Sequence, residues 1–413
     1  MINFYDSYLI LSKVFSDGAY IKQSVNETPI EQINKPYTIK ICYGVLDKNV
    51  ELDYYIKRLC EKNPKLKIKI LLKIGFYAIK YLNNKPFAVT DSLVELTKKL
   101  GKGANAGFIN ATIRAFIASD IPLPTEKIEY LSVKYSFPEF AVKRLIEFYG
   151  EEKAESIMAF DSEYTFVRFN CGVDGEKYLT EKGLNYEKTP FYNLYSVPNM
   201  KMNEDFYNGT YTFQSIGSVA ICQAVGTGKR FLDACAAPGG KSVLLADSFE
   251  SVTSLELHEH RCELINSYVD RMKKTNVTVI CHDSTKFDLS LGKFDAVLCD
   301  VPCSGFGTFK NNPDVKINKS ESIFSGLNKT QLDILLASAN YLNVGGKLVY
   351  STCSFFDDEN DRIVEKFLSC NDNYAVEQIV SPLNNVKKNY GLQFLPDISF
   401  GAGFYVSVMK KIK

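Results

Sequence analysis

The chain has 413 residues, which points to two or three domains, and 46% are hydrophobic, ample for packed cores. Its net charge of +1 is nearly neutral, no run of 18 apolar residues suggests a membrane span, and the start carries no basic leader. A secreted or membrane-spanning protein is therefore not expected; a cytoplasmic one is. The 11 cysteines then read as reduced thiols. They form no Cys-x-x-Cys pair, and the three histidines, His258, His260 and His282, are not spaced as zinc ligands, so no metal is expected. Charge is unevenly distributed. Residues 1–150 hold 22 Lys+Arg against 15 Asp+Glu, while the remainder holds 27 against 33. A basic front half suits a polyanion, although a solvated Lys-rich surface gives the same count.

The first part of the chain has the spacing of a helical bundle. Tyr5 to Ile21, Lys40 to Leu46, Asp53 to Cys60, Leu66 to Leu82, Phe87 to Leu100 and Ala106 to Ser119 repeat apolar residues by three and four. Lys65 to Ile70 alternates like a strand at the mouth of one such segment. Ile121-Pro122-Leu123-Pro124 breaks the pattern and marks a linker. Helical spacing resumes over 125–165, with a helix opening near Pro138, and short strands and turns fill 166–215. From Arg230 strands alternate with helices. Strands are predicted at 230–234, 252–257, 277–281, 294–300, 346–352 and 403–408, and helices at 240–248, 259–274, 329–342 and 358–369. This alternation predicts a parallel, doubly wound α/β sheet, whose ligands sit at the carboxyl ends of its strands.

The distinctive motifs fall at those ends. Asp233-Ala234-Cys235-Ala236-Ala237-Pro238-Gly239-Gly240-Lys241 follows the first strand and opens a helix, and its glycines let a ligand approach the backbone closely. Glu256 ends the second strand, where a carboxylate can take both hydroxyls of a ribose. Asp283 is placed at the end of the third strand, and Asp300 ends the fourth. Acids at successive strand tips suit an adenosyl ligand bearing a sulfonium and suit a polyphosphate poorly. Gly240-Lys241-Ser242 matches the tail of a phosphate-binding loop, but Cys235 stands where its first glycine belongs and Pro238 lacks a backbone donor.

Two cysteines lie just beyond strands, in Asp300-Val301-Pro302-Cys303 and Ser351-Thr352-Cys353-Ser354. A thiolate adding to carbon 6 of cytosine makes carbon 5 nucleophilic toward a methyl donor, and base-assisted elimination then frees the thiol. Spacing leaves either Cys303 or Cys353 as the nucleophile, with Asp300 the natural acid for ring nitrogen 3. Cys222, Cys281, Cys299 and Cys370 read as inert core.

These motifs, with Asn312-Pro313-Asp314, Glu359-Asn360 and Ala402-Gly403-Phe404-Tyr405, resemble the signatures of RNA 5-methylcytosine methyltransferases of the NOL/NOP/Sun family over 210–413. Cys42-Tyr43-Gly44-Val45-Leu46 and Gly107-Phe108-Ile109-Asn110-Ala111-Thr112-Ile113-Arg114 resemble a NusB-type RNA-binding domain. The resemblance implies a multidomain chain. A NusB-like all-α bundle spans 1–124, a small α+β connector 125–215, and a Rossmann-like α/β methyltransferase domain 216–413. It further implies S-adenosylmethionine as donor and 16S ribosomal RNA as partner; a monomer is the default expectation. In that family the Thr-Cys thiol attacks and the Pro-Cys thiol assists release, which carries to Cys353 and Cys303, with Asp300 completing the catalytic set. The donor site carries to Cys235, Ala236, Ala237, Pro238, Gly239, Gly240, Lys241, Glu256, Asp283 and Asp300. Glu256 replaces a usual Asp, and Ser215 replaces the Asp of a usual Gln-Asp pair, a change expected to loosen the connector. The rivals are the same chemistry on another RNA and a non-catalytic RNA-binding factor.

Overall fold

The computed structural model describes residues 2–162 and 164–413. The chain divides into two compact units, one comprising the residues up to Ala159 together with Phe309–Glu321, the other Phe160–Thr308 with Ser322–Lys413.

The first unit is helical. Its central helix, Leu66–Lys80, packs against Tyr5–Asp17, Lys35–Asp47, Asn49–Leu59, Pro86–Lys99 and Ala106–Ala118. The alternating stretch 65–70 is the first turn of that helix. Ile68, Ile70, Leu71, Leu72, Ile74, Phe76 and Ala78 are all buried, and a surface this broad satisfies helical periodicity over its full length. Gly44 is required where two helices approach. A Cβ there would lie 1.8 Å from the Tyr77 ring. The segment predicted as one helix from Tyr5 to Ile21 is two, because Gly18 takes a left-handed conformation (φ 67°) and ends the first, and a second runs Ile21–Glu27.

The span 125–215 is shared between the units. Helices Lys127–Tyr135, Glu139–Tyr149 and Glu151–Ala159 cluster with the first, and the strands that follow belong to the second. Phe309–Glu321 also joins the first unit. There the buried Lys316 donates to the carbonyl and carboxylate of Asp47 (both 2.7 Å), and Phe309 meets Phe137 edge-on at 5.0 Å.

The second unit holds two sheets. Strands β1 (Phe166–Phe169), β2 (Glu187–Lys188), β3 (Leu194–Ser196) and β4 (Tyr211–Phe213) form an antiparallel sheet in the order β2-β3-β1-β4. The larger sheet contains β5 (Gly228–Asp233), β6 (Phe249–Glu256), β7 (Val277–Cys281), β8 (Phe294–Asp300), β9 (Leu342–Thr352), β10 (Tyr374–Glu377), β11 (Val386–Lys387), β12 (Leu392–Phe394) and β13 (Phe404–Lys411). Its order is β7-β6-β5-β8-β9-β13-β12-β11, with β10 also paired to β13. β5 to β9 are parallel, as expected. β13 runs antiparallel to β9, so the sheet is mixed. The strand order reverses between β5 and β8, which opens a crevice at their carboxyl ends.

The small sheet is tied to the large domain by polar contacts. Gln214 accepts from the buried Arg168 (2.5 Å) and donates to Gly240 O (3.0 Å). Ser215, expected to loosen this join, instead caps the helix Ile216–Val225 by accepting from Ser218 N (3.2 Å).

Candidate functional site

Five parallel strands bring the motif residues to one edge. Asp233, Glu256 and Asp300 are the last residues of β5, β6 and β8. Asp283 lies two residues past β7 rather than at its tip. Its carboxylate turns back to accept from Thr285 N (3.1 Å) and Thr285 Oγ1 (2.7 Å) and pairs with Lys286 (3.1 Å), contacts that lower its pKa.

The loop from Cys235 to Lys241 turns through Gly239, whose φ of 102° is left-handed and costs a side-chain-bearing residue strain. Gly240 begins the helix Gly240–Leu245, and a Cβ on it would meet nothing closer than 3.6 Å. The loop thus presents bare backbone beside a buried acid. Asp233 is 1% exposed; its Oδ2 accepts from Ser242 Oγ (2.7 Å) and its buried Oδ1 has no partner. Burial pushes its pKa up to about 6. Burial also raises the thiol of Cys235. On the next strand Glu256 is buried, and its Oε1 accepts from His258 N (3.2 Å) and faces Arg261 (3.3 Å). An orphaned buried acceptor, an open glycine backbone and a carboxylate at the second strand tip fit a cationic adenosyl ligand.

Lys241 reaches across to Asp300 Oδ2 (2.5 Å), and Ser351 Oγ donates to Oδ1 (2.7 Å). Burial works to lower the lysine, but the Asp300 charge outweighs it, and Lys241 is held as an ammonium. Asp300 is therefore fixed in place with both oxygens accepting.

Cys303 and Cys353 come together with their sulfurs 3.1 Å apart. Hydrogen bonding to Cys353 and then burial raise Cys303 well above an ordinary thiol. Two groups this close cannot both carry a negative charge easily, which is the direction in which Cys303 is shifted. Beneath them the chain is tightly packed. Gly307 N donates to Cys353 O (2.9 Å), and a Cβ on Gly307 would fall 1.9 Å from Gly403 O.

Sequence reasoning did not assign roles to several residues that build this arrangement. Ser304 donates through its N–H (2.7 Å) and Oγ (2.5 Å) to the buried Glu359, and Ser304 Oγ lies 3.2 Å from Ser354 Oγ. Gln331 donates to Glu359 (3.1 Å) and Pro302 O (3.0 Å). The polar residues flanking each cysteine were the available signal; Gln331, on a largely apolar helix face, offered none. Of the cysteines read as core, Cys222 and Cys299 are buried, but Cys281 and Cys370 are exposed. Cys281 ends the edge strand β7, and Cys370 caps a helix end. Among the described residues no group of three or more His, Cys, Asp or Glu is arranged to hold a metal, and no helix is long and apolar enough to cross a membrane.

An open sheet with this strand order, an antiparallel strand beyond β9 and a Gly-rich loop after β5 define a Rossmann-like methyltransferase fold. The model of the 16S rRNA methyltransferase RsmB/F family matches residues 220–410, and that of the NusB family matches residues 7–118. By these matches, residues 220–410 carry an RsmB/F-type methyltransferase domain and residues 7–118 a NusB-type domain. It is 29% identical to the probable ribosomal RNA small subunit methyltransferase B of Bacillus subtilis, over 97% of each chain. It is 28% identical to the ribosomal RNA small subunit methyltransferase B of Pasteurella multocida, over 98% of this chain and 94% of that one. In three dimensions it resembles the crystal structure of PH0851 (TM-score 0.84, 19% identity, 99% of this chain and 98% of that one). It also resembles NSun6 from Pyrococcus horikoshii solved with SFG (TM-score 0.62, 18% identity, 68% and 99%). At these identities the structural likenesses speak to fold.

Proposed function

We propose that this chain methylates carbon 5 of a cytosine in 16S ribosomal RNA, acting as a monomer in the cytoplasm, with Cys353 as nucleophile. The observation that carries the reading is the pair of sulfurs 3.1 Å apart at the strand ends, next to a carboxylate anchored by Lys241 and Ser351. S-adenosylmethionine supplies an electrophilic methyl group when bound along Cys235, Ala236, Ala237, Pro238, Gly239, Gly240, Lys241, Glu256, Asp283 and Asp300.

The residues divide the work as follows. The target base is unstacked into the crevice. Cys353, as thiolate, forms a bond to carbon 6, and the ring electrons move toward nitrogen 3. Asp300 protonates that nitrogen with a proton taken up from water, while Lys241, staying an ammonium, holds the carboxyl in place across their 2.5 Å bond. Carbon 5, now electron-rich, takes the methyl group. Its remaining proton leaves to water as the carbon–sulfur bond breaks, and nitrogen 3 returns its proton through Asp300. Cys303, held as a thiol, hydrogen-bonds the departing Cys353 sulfur and eases its release.

The test is methyl transfer from labelled S-adenosylmethionine to unmodified 16S RNA, wild type beside Cys353→Ala. Label recovered as 5-methylcytosine and lost in the variant supports the reading. Full activity in Cys353→Ala sinks the nucleophile, and incorporation only into another RNA sinks the substrate.

A further inference from the structure

We propose that Glu359 is a positioning residue that clamps the Cys303 loop to the Cys353 loop and, through its charge, keeps Cys303 a thiol poised to donate to the Cys353 sulfur. The inference builds on the proposed roles of the two cysteines.

Glu359 ends the short turn Asp357–Glu359 and is 0% exposed. Its partners are neutral donors. Oε1 accepts from Ser304 N and Gln331 Nε2, and Oε2 accepts from Ser304 Oγ. Ser304 follows Cys303 and Ser354 follows Cys353, and their hydroxyls lie 3.2 Å apart. The next residue extends the clamp, because Asn360 Nδ2 donates to Ser354 O (3.1 Å) and Asn360 Oδ1 accepts from Thr352 Oγ1 (2.5 Å). One turn therefore fixes the backbone on the carboxyl side of both cysteines.

For holding loops alone a carboxylate is a poor choice. Burial raises the Glu359 pKa, and the donors Ser304 and Gln331 oppose that shift by hydrogen-bonding the charged form; a fully buried charge without a cationic partner is costly, and a glutamine of the same shape could accept from Ser304 N and donate to Ser304 Oγ without that cost. What glutamine cannot supply is negative charge. The titratable groups facing Cys303 are Tyr350 from β9, Cys353 just past its end, Asp300 from β8, and Glu359 from the turn. Gln331, from the helix Ile323–Ala339, contributes no charge. The acids among these oppose a second anion at Cys303, and Glu359 also holds the neighbouring peptide.

The test is Glu359→Gln, read two ways. In a Cys353→Ser background, iodoacetamide alkylation of Cys303 is followed against pH by peptide mass spectrometry, with and without Glu359→Gln. The proposal expects a midpoint lower by about one pH unit in the glutamine variant, roughly tenfold faster alkylation at a fixed pH below it. An unchanged or higher midpoint overturns it. This readout needs no RNA, so it can fail or succeed independently of the reaction assigned above. In the otherwise unaltered enzyme, Glu359→Gln is expected to keep the melting temperature and the KM for RNA and to lower kcat. A variant that turns over like wild type overturns the proposal. So does one that unfolds, since the carboxylate would then be serving the fold alone.

Discussion

Gly307 gives the sharpest test of how the fold seats Cys353. It lies in the turn Phe306–Thr308, and its N–H donates to the Cys353 carbonyl at 2.9 Å. A Cβ at this position would stand 1.9 Å from Gly403 O, 2.6 Å from Gly403 C and 2.9 Å from Cys353 O. All three are backbone atoms in or beside strand ends, and none can swing aside as a side chain can. Overpacking of this kind costs about 1–3 kcal/mol. For a domain of this size that lowers the melting temperature by about 2–12 °C. Relief by moving the Cys353 carbonyl displaces the thiol with it, and a shift near 1 Å costs on the order of a hundredfold in rate. Gly326→Ala is the control, because a Cβ there meets nothing within 4 Å inside the helix Ile323–Ala339. That change is expected to be neutral or to stabilise by up to about 1 kcal/mol. Thermal melts and methyl-transfer rates on both variants decide the matter. A Gly307→Ala enzyme that melts within a degree of wild type and turns over normally would refute the packing argument.

Two further outcomes follow from the buried charges. Asp233 titrates near 6 when folded, above its unfolded value, so its contribution to stability is full below about pH 4 and is lost as pH rises through 6. Asp233→Asn escapes that loss and should gain on wild type between pH 4 and 6, by about 3 kcal/mol at most; melts that run parallel across this window would contradict the assignment. Lys241→Met strips Asp300 of its cation while both side chains are largely covered, at 18% and 25% exposure. It should destabilise toward the lower end of about 3–5 kcal/mol and abolish methyl transfer, whereas retained turnover would show that anchoring of Asp300 by Lys241 is dispensable.

The parts of this molecule that were legible beforehand are those written in local pattern. β7 and β8 fall where alternation predicted them, at Val277–Cys281 and Phe294–Asp300: β8 is a buried parallel strand with a strong apolar signature, and the half-exposed edge strand β7 is marked by its β-branched run Val277-Thr278-Val279-Ile280. Short antiparallel additions such as β11 and β12 left none; they are two and three residues long, β12 held by pairing with β13 and β11 by pairing with β12. At 65–70 the local alternation is strand-like, but the helical spacing from Leu66 to Leu82 prevails, because the tertiary surface of the longer helix governs. At the site, the meeting of Cys303 with Cys353 followed from strand-end placement. The burial of Glu359 between Ser304 and Gln331 depends on contacts among residues far apart in the chain, which no short window carries.

The most direct measurement of the central claim is trapping the enzyme on its RNA. Cys303→Ala, incubated with unmodified 16S RNA and S-adenosylmethionine, should accumulate a covalent complex on a denaturing gel, and mass spectrometry of the linked peptide should place the bond at Cys353. Linkage at any other residue, or a Cys303→Ala/Cys353→Ala double variant that still forms the complex, would contradict the account.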